Sequence, residues 1–196
     1  MGFENVGRVW TPAELKTYLS TLDKPAWATS ITFHHTGVPS LEQRPNGFLP
    51  NHLTNLQSYY QDTNKWSSGP HLFIDEDQCW GMCDFRQHGV HAKSFNDSSI
   101  GIEVLGNYDV ESPTSGRGQQ CWGIAAGAGH VLLDWLGLQP SAITVKFHRD
   151  DPKTSKTCPG SLVDRNWVIG QINTAAAVSA ITTAVASVAG LLGFRY

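Results

Sequence analysis

The sequence predicts an α/β domain with a single central mixed β-sheet flanked by helices, followed by a C-terminal apolar helix. Three observations lead there. Short apolar runs rich in β-branched residues alternate with segments of helical spacing, the pattern of strands interleaved with helices. Hydrophobic residues make up 40% of the chain and charged ones 16%, enough to bury a core and too apolar for global disorder. At 196 residues the chain suits one domain with at most a small appended module.

Trp10-Thr11-Pro12-Ala13-Glu14-Leu15 reads as a helix start, with Thr11 as cap, Pro12 in the first turn and Glu14 closing a capping box. Ser30 to His34 follows as a strand ending in the loop Thr36-Gly37-Val38-Pro39. A helix is expected from Asn51 to Gln61. It leads through Trp66-Ser67-Ser68-Gly69 into a second strand, His71 to Ile74, with Cys79 to Met82 returning as its hairpin partner. Ser99 to Leu105 alternates small or polar with apolar residues, again a strand. Ile124, Ala128, Val131, Trp135 and Leu138 mark a helix from Gln119 to Leu138, and Ile143 to Phe147 is a last strand that delivers His148 at its end.

A net charge of -3 gives no electrostatic footprint for nucleic acid, which is not an expected partner. The N-terminal stretch MGFENVGRVWTP has no basic segment ahead of an apolar run, so no secretory signal is expected and synthesis is placed in the cytoplasm. Four cysteines are too few for a disulfide scaffold and read as reduced thiols. Ile172 to Phe194 carries no charge. As a helix it would just reach across a bilayer, but its Ala, Ser and Thr make it a weak span. Residues 172–196 are therefore set apart from a folded domain of residues 1–171. They form a tail that either packs on the domain or on another copy, or makes membrane contact.

His34 and His148 each end a predicted strand, and Cys158 lies on an irregular loop free to reach them. Strand ends along one sheet edge are where α/β proteins build sites. Two imidazoles and a thiolate would leave a fourth position for water, the pattern of a catalytic zinc. Taken singly, each residue reads equally well as a surface histidine or a buried thiol.

Four stretches in order carry a resemblance: ITFHHTG (31–37), GPHLFIDEDQ (69–78), VHAKSFNDSSIGIEVLGNYD (90–109) and KFHRDDPKTSKTCPG (146–160). The chain resembles the zinc N-acetylmuramoyl-L-alanine amidases, which include T7 lysozyme-like phage endolysins and animal peptidoglycan recognition proteins. The resemblance implies Zn2+ on His34, His148 and Cys158. It implies catalytic roles for Glu103 and Lys156 and a peptidoglycan groove at His91 and Asn96, with His35 behind the ligands or facing solvent; Trp66 is a further candidate, as a stacking surface for sugar or peptide. It further implies hydrolysis of the amide between N-acetylmuramic acid and L-alanine, by a protein that reaches the wall after release from the cytoplasm.

One position departs from the pattern: T7-type enzymes carry a tyrosine where this chain has Pro70, and Glu103 is the candidate owner of that role. The residues by themselves leave bland readings open: Glu103 as a solvent-facing strand residue, Lys156 as a solvated loop lysine, Asn96 as a turn residue, Trp66 as core and His35 as solvent-facing. Cys79 and Cys83 read as hairpin core and Cys121 as helix packing. Two other functions stay open, a non-catalytic peptidoglycan binder and a secreted antibacterial or wall-remodelling amidase.

Overall fold

A computed structural model describes residues 2–177. Its six-stranded sheet runs in the order β1-β4-β3-β5-β2-β6, with β1 Val9–Trp10, β2 Ser30–His35, β3 Leu72–Ile74, β4 Cys79–Gly81, β5 Ser99–Val104 and β6 Val145–Phe147. The hairpin edge β1-β4-β3 is antiparallel, while β3, β5, β2 and β6 run parallel. Their carboxyl ends therefore open on one edge of the sheet. By register Ile31, Phe33, Ile100, Ile102 and Val145 share one face of the sheet, and all are fully buried. Each such side chain contributes about 1.5–3 kcal/mol by leaving water.

The first helix, α1 (Pro12–Leu19), has the expected cap: Glu14 N–H donates to Thr11 Oγ1, and Thr11 N–H donates to Glu14 at 2.8 Å. The second, α2 (Pro50–Ser58), stops earlier than its sequence suggests. It passes into a wider π-helical turn, Tyr59–Thr63, closed by Asn64 N–H donating to the Tyr59 carbonyl. Only Leu53 of α2 is fully buried, so little packing enforces a regular end, and single π turns concentrate near functional sites.

The long helix α3 (Gly116–Leu136) lies across the sheet and ends on Gly137 in the left-handed conformation at φ 74°. Its buried face shares Ala128 and Val131 with the expected stripe and adds Cys121, Trp122, Ala125 and Leu132 among others, whereas Ile124, Trp135 and Leu138 are only partly covered. Small residues on that face let the helix approach closely: a Cβ on Gly129 would stand 3.1 Å from the Phe33 ring. The last strand begins at Val145, and Ile143, expected within it, is 79% exposed.

A fourth helix, α4, begins at residue 165 and occupies the rest of the described residues. Ile172 on it is buried in the main core and touches the same surface of α3. The remainder of the expected apolar tail lies outside the described residues. Among the described residues, no helix is long and apolar enough to cross a membrane. The four cysteines are free thiols and all are buried, with Cys83 Sγ accepting the Gly69 N–H.

Candidate metal centre

Adjacent strand residues point to opposite faces, so only one of His34 and His35 can face the sheet edge shared with β5. The register decides which. His34 stands directly opposite Glu103, and Glu103 Oε1 lies 3.8 Å from His34 Nδ1. His148 opens the turn after β6, and its Nδ1 lies 3.1 Å from His34 Nδ1. Cys158 arrives from the following loop, held by Arg149 N–H donating to its carbonyl, with Sγ 3.8 Å from His34 Nδ1. The ligand atoms of these three residues all lie within 4.8 Å of one another.

This spacing fits zinc. Bonds of about 2.0–2.1 Å to nitrogen and about 2.3 Å to sulfur in a tetrahedron require N–N separations of about 3.3 Å and N–S separations of about 3.6 Å. The observed 3.1 and 3.8 Å fall on either side of those values by a few tenths of an ångström. Burial pushes the Cys158 thiol well up, with Glu103 adding to the effect and the His35 N–H, 3.4 Å from Sγ, opposing it. A bound cation is what would convert such a thiol to thiolate.

The proton on His34 is fixed by its neighbours. A carbonyl oxygen can only accept, so the 2.9 Å contact between His91 Nε2 and the Ser99 carbonyl puts a proton on His91 Nε2. Burial, followed by His71, holds the His91 pKa down to about 3, so the ring is neutral and its Nδ1 carries a lone pair. That lone pair faces His34 Nε2 at 3.0 Å, which must therefore be the protonated nitrogen. His34 is itself held well below the usual histidine range by burial, with His91 and His148 adding to the effect. Its remaining lone pair is on Nδ1, toward His148, Cys158 and Glu103. The chain of bonds from Ser99 through His91 to His34 thus presents a metal-ready nitrogen.

The cluster forms one wall of a groove of about 490 Å3, which is also lined by His35, Pro70, Glu103 and Lys156. Burial raises Glu103 to about 8, opposed by Lys156. Trp66, 39% exposed, stands on the rim against Tyr60, their ring centroids 5.2 Å apart. His35 is half-buried: its Nδ1 accepts the Tyr108 N–H while its backbone N–H reaches Cys158. Asn96 borders an adjoining cavity, but its Oδ1 already accepts the N–H groups of His91 and Ala92, which is the turn role. The link from His91 to His34 and the groove wall of Val38, Phe48 and Leu56 had no local sequence signal, since each joins residues far apart in the chain.

Residues 24–161 match the family described as N-acetylmuramoyl-L-alanine amidase (Amidase_2). Peptidoglycan-recognition protein SC2 of Drosophila simulans and of Drosophila melanogaster is 30% identical over 118 residues. That match covers 56% of this chain and 56% of either relative, so the chain spans little more than half of their length. Among solved structures, the endolysin amidase LysCS from Clostridium intestinale has a TM-score of 0.55 at 22% identity, covering 75% of this chain and 84% of that one. Drosophila PGRP-LB scores 0.53 at 22% identity over 71% and 77% of the two chains, and the catalytic domain of XlyA 0.54 at 19% over 74% and 86%. At these identities the likeness is one of fold.

Proposed function

This chain belongs to the N-acetylmuramoyl-L-alanine amidase family, and from that premise we propose that it is a zinc hydrolase. Its reaction is cleavage of the amide between the lactyl group of N-acetylmuramic acid and the first L-alanine of the stem peptide, in the manner of an endolysin. The observation that carries the reading is the convergence of His34, His148 and Cys158, with Glu103 beside them, in an open groove. Similarity in sequence to a peptidoglycan-recognition protein and in fold to LysCS supports peptidoglycan as the substrate.

His34 Nδ1, His148 Nδ1 and Cys158 Sγ would hold the metal, with His91 fixing the tautomer of His34. Zinc bound there supplies a water of near-neutral pKa and a polarised scissile carbonyl. Glu103, 3.8 Å from His34 Nδ1, accepts the proton of the attacking water and returns it to the departing alanine amine. A nearby cation favours the ionised carboxylate and so counters the burial that raises Glu103. Lys156, on the same groove, offsets the negative charge that develops on the carbonyl oxygen. Trp66 and Tyr59, both exposed at the rim, offer flat apolar surface to the substrate.

The test is mass spectrometry of purified peptidoglycan after digestion, alongside Cys158→Ala. Release of stem peptides beginning in L-alanine from intact glycan, absent with the variant, is the expected result. Protein that sediments with uncut wall would make the chain a binder and remove the roles given to Glu103 and Lys156.

A further inference from the structure

The groove at the metal centre has a second arm. A cavity of about 330 Å3 adjoins it, sharing Trp66, Val90, His91, His148 and Lys156 with the first and adding Lys93, Asn96, Asp151, Lys153 and Thr154. The two arms differ in chemistry. The first is walled by Val38, Pro39, Phe48, Leu56, Tyr59 and Tyr60, with Arg44 and His52 as its further basic residues. The second gathers Lys93 and Lys153 beside Lys156.

Asp151 is the one carboxylate lining this second arm, which leaves its three lysines in excess. It is 2% exposed, and its two oxygens accept the backbone N–H groups of Ser94 at 3.0 Å and Lys153 at 2.8 Å. One buried carboxylate therefore clamps the loop carrying Lys93 to the loop carrying Lys153. Neither lysine forms an ion pair among the described residues. Two unpaired ammonium groups on tethered backbones, next to the reacting centre, form a receptor for anions.

We infer that this arm receives the stem peptide, and that Lys93 and Lys153 select stem peptides whose carboxylates are free over those in which they are amidated. The inference rests on the amidase reading for the identity of the peptide, and on the asymmetry of the two arms for its placement. The glycan side of the scissile bond, carrying hydroxyl and N-acetyl groups, then lies along the apolar and aromatic arm.

The experiment compares two synthetic muropeptides, identical except for amidation of the stem carboxylates, with the zinc-loaded protein at low salt. An exposed ion pair contributes up to about fivefold in affinity, so two lysines give a preference of about tenfold in kcat/KM for the free acid. The preference shrinks toward one in 0.5 M NaCl, at which the screening length is only about 4 Å. In Lys93→Gln/Lys153→Gln it falls to within about twofold of unity, the change residing in KM.

A wild-type ratio near one, or a ratio the double substitution leaves alone, overturns the inference. So does collapse of the ratio in Arg44→Gln but not in the lysine variant, which would put the peptide in the other arm. If neither muropeptide is cut, the hydrolase reading fails separately. The same criteria then apply to the ratio of dissociation constants measured by calorimetry.

Discussion

The bond between His91 and His34 has a consequence that can be measured without turnover. Replacing His91 with Phe removes the acceptor of His34 Nε2 and the donor to the Ser99 carbonyl. His34 can then place its proton on Nδ1, the nitrogen that faces His148 and Cys158. A metal must displace that proton or pay for an unpartnered N–H at Nε2. A buried donor left without its acceptor costs about 1–3 kcal/mol, and loss of an outer partner of a ligand histidine typically lowers metal affinity 10–100-fold. The expected result for His91→Phe is zinc affinity lower by 10–100-fold, roughly 1.4–2.7 kcal/mol. The readout is competition against a chromophoric chelator at pH 7.5, with circular dichroism of the metal-free protein as the check on folding.

Two companions sharpen the test. His91→Gln keeps one donor and one acceptor in its amide and should recover part of the lost affinity. Gly101→Ala leaves His91 in place but sets a Cβ 2.6 Å from the His91 ring, so the ring must move. It should lower zinc affinity in the same direction. Should a folded His91→Phe protein bind zinc within twofold of the wild type, the tautomer argument fails.

The metal centre and the buried groups around it also set stability and turnover. Free zinc at about 1,000 times its dissociation constant adds about 4 kcal/mol to stability, or roughly 8–16 °C in melting midpoint for a chain of this size. Cys158→Ala should lose most of that zinc-dependent shift, read by scanning calorimetry with and without chelator. Glu103→Gln should retain one zinc per chain by elemental analysis while turnover falls at least about 100-fold, and undiminished turnover would remove Glu103 from the mechanism. His71 is fully buried, donates from Nε2 to the Gln87 carbonyl and accepts the Gly101 N–H on Nδ1, and burial lowers its pKa from 6.5 to about 4. A base depressed on folding stabilises the folded state above 6.5, and that contribution is lost as pH falls toward 4. The difference amounts to about 3 kcal/mol. Urea midpoints of the wild type should fall across that window more steeply than those of His71→Gln; parallel profiles would contradict the assignment.

The parts of this fold that the sequence announces are those whose cause is local. The capping box at Thr11 and Glu14 involves residues three apart, and the strands through Ile31, Ile102 and Val145 alternate because the face carrying these three is buried under α3. The parts it conceals are those made by pairing. The strand Val9–Trp10 has two residues and exists only because Cys79 and Trp80 lie opposite. Ile143 looks like its strand neighbours, yet pairing with β2 begins only at Val145. Lys93 and Lys153 are ordinary exposed lysines until Asp151 draws their loops together.

The His34-His35 pair joins the two cases. Alternation along a strand says that one of the two faces the site, and it cannot say which, because a shift of one residue exchanges them. Pairing with β5 sets His34 against Glu103, and pairing with β6 sets Phe33 against Phe147, one residue before His148. Two buried aromatic rings, Phe33 and Phe147, therefore hold the register in which both imidazoles reach the same edge. A slip of one residue would turn Phe33 out of the core and carry His35 with it to the face that now holds His34, at a cost of several kcal/mol in buried apolar area alone. The packing of the sheet interior is what selects the ligand, and the chemistry at its edge follows from that choice.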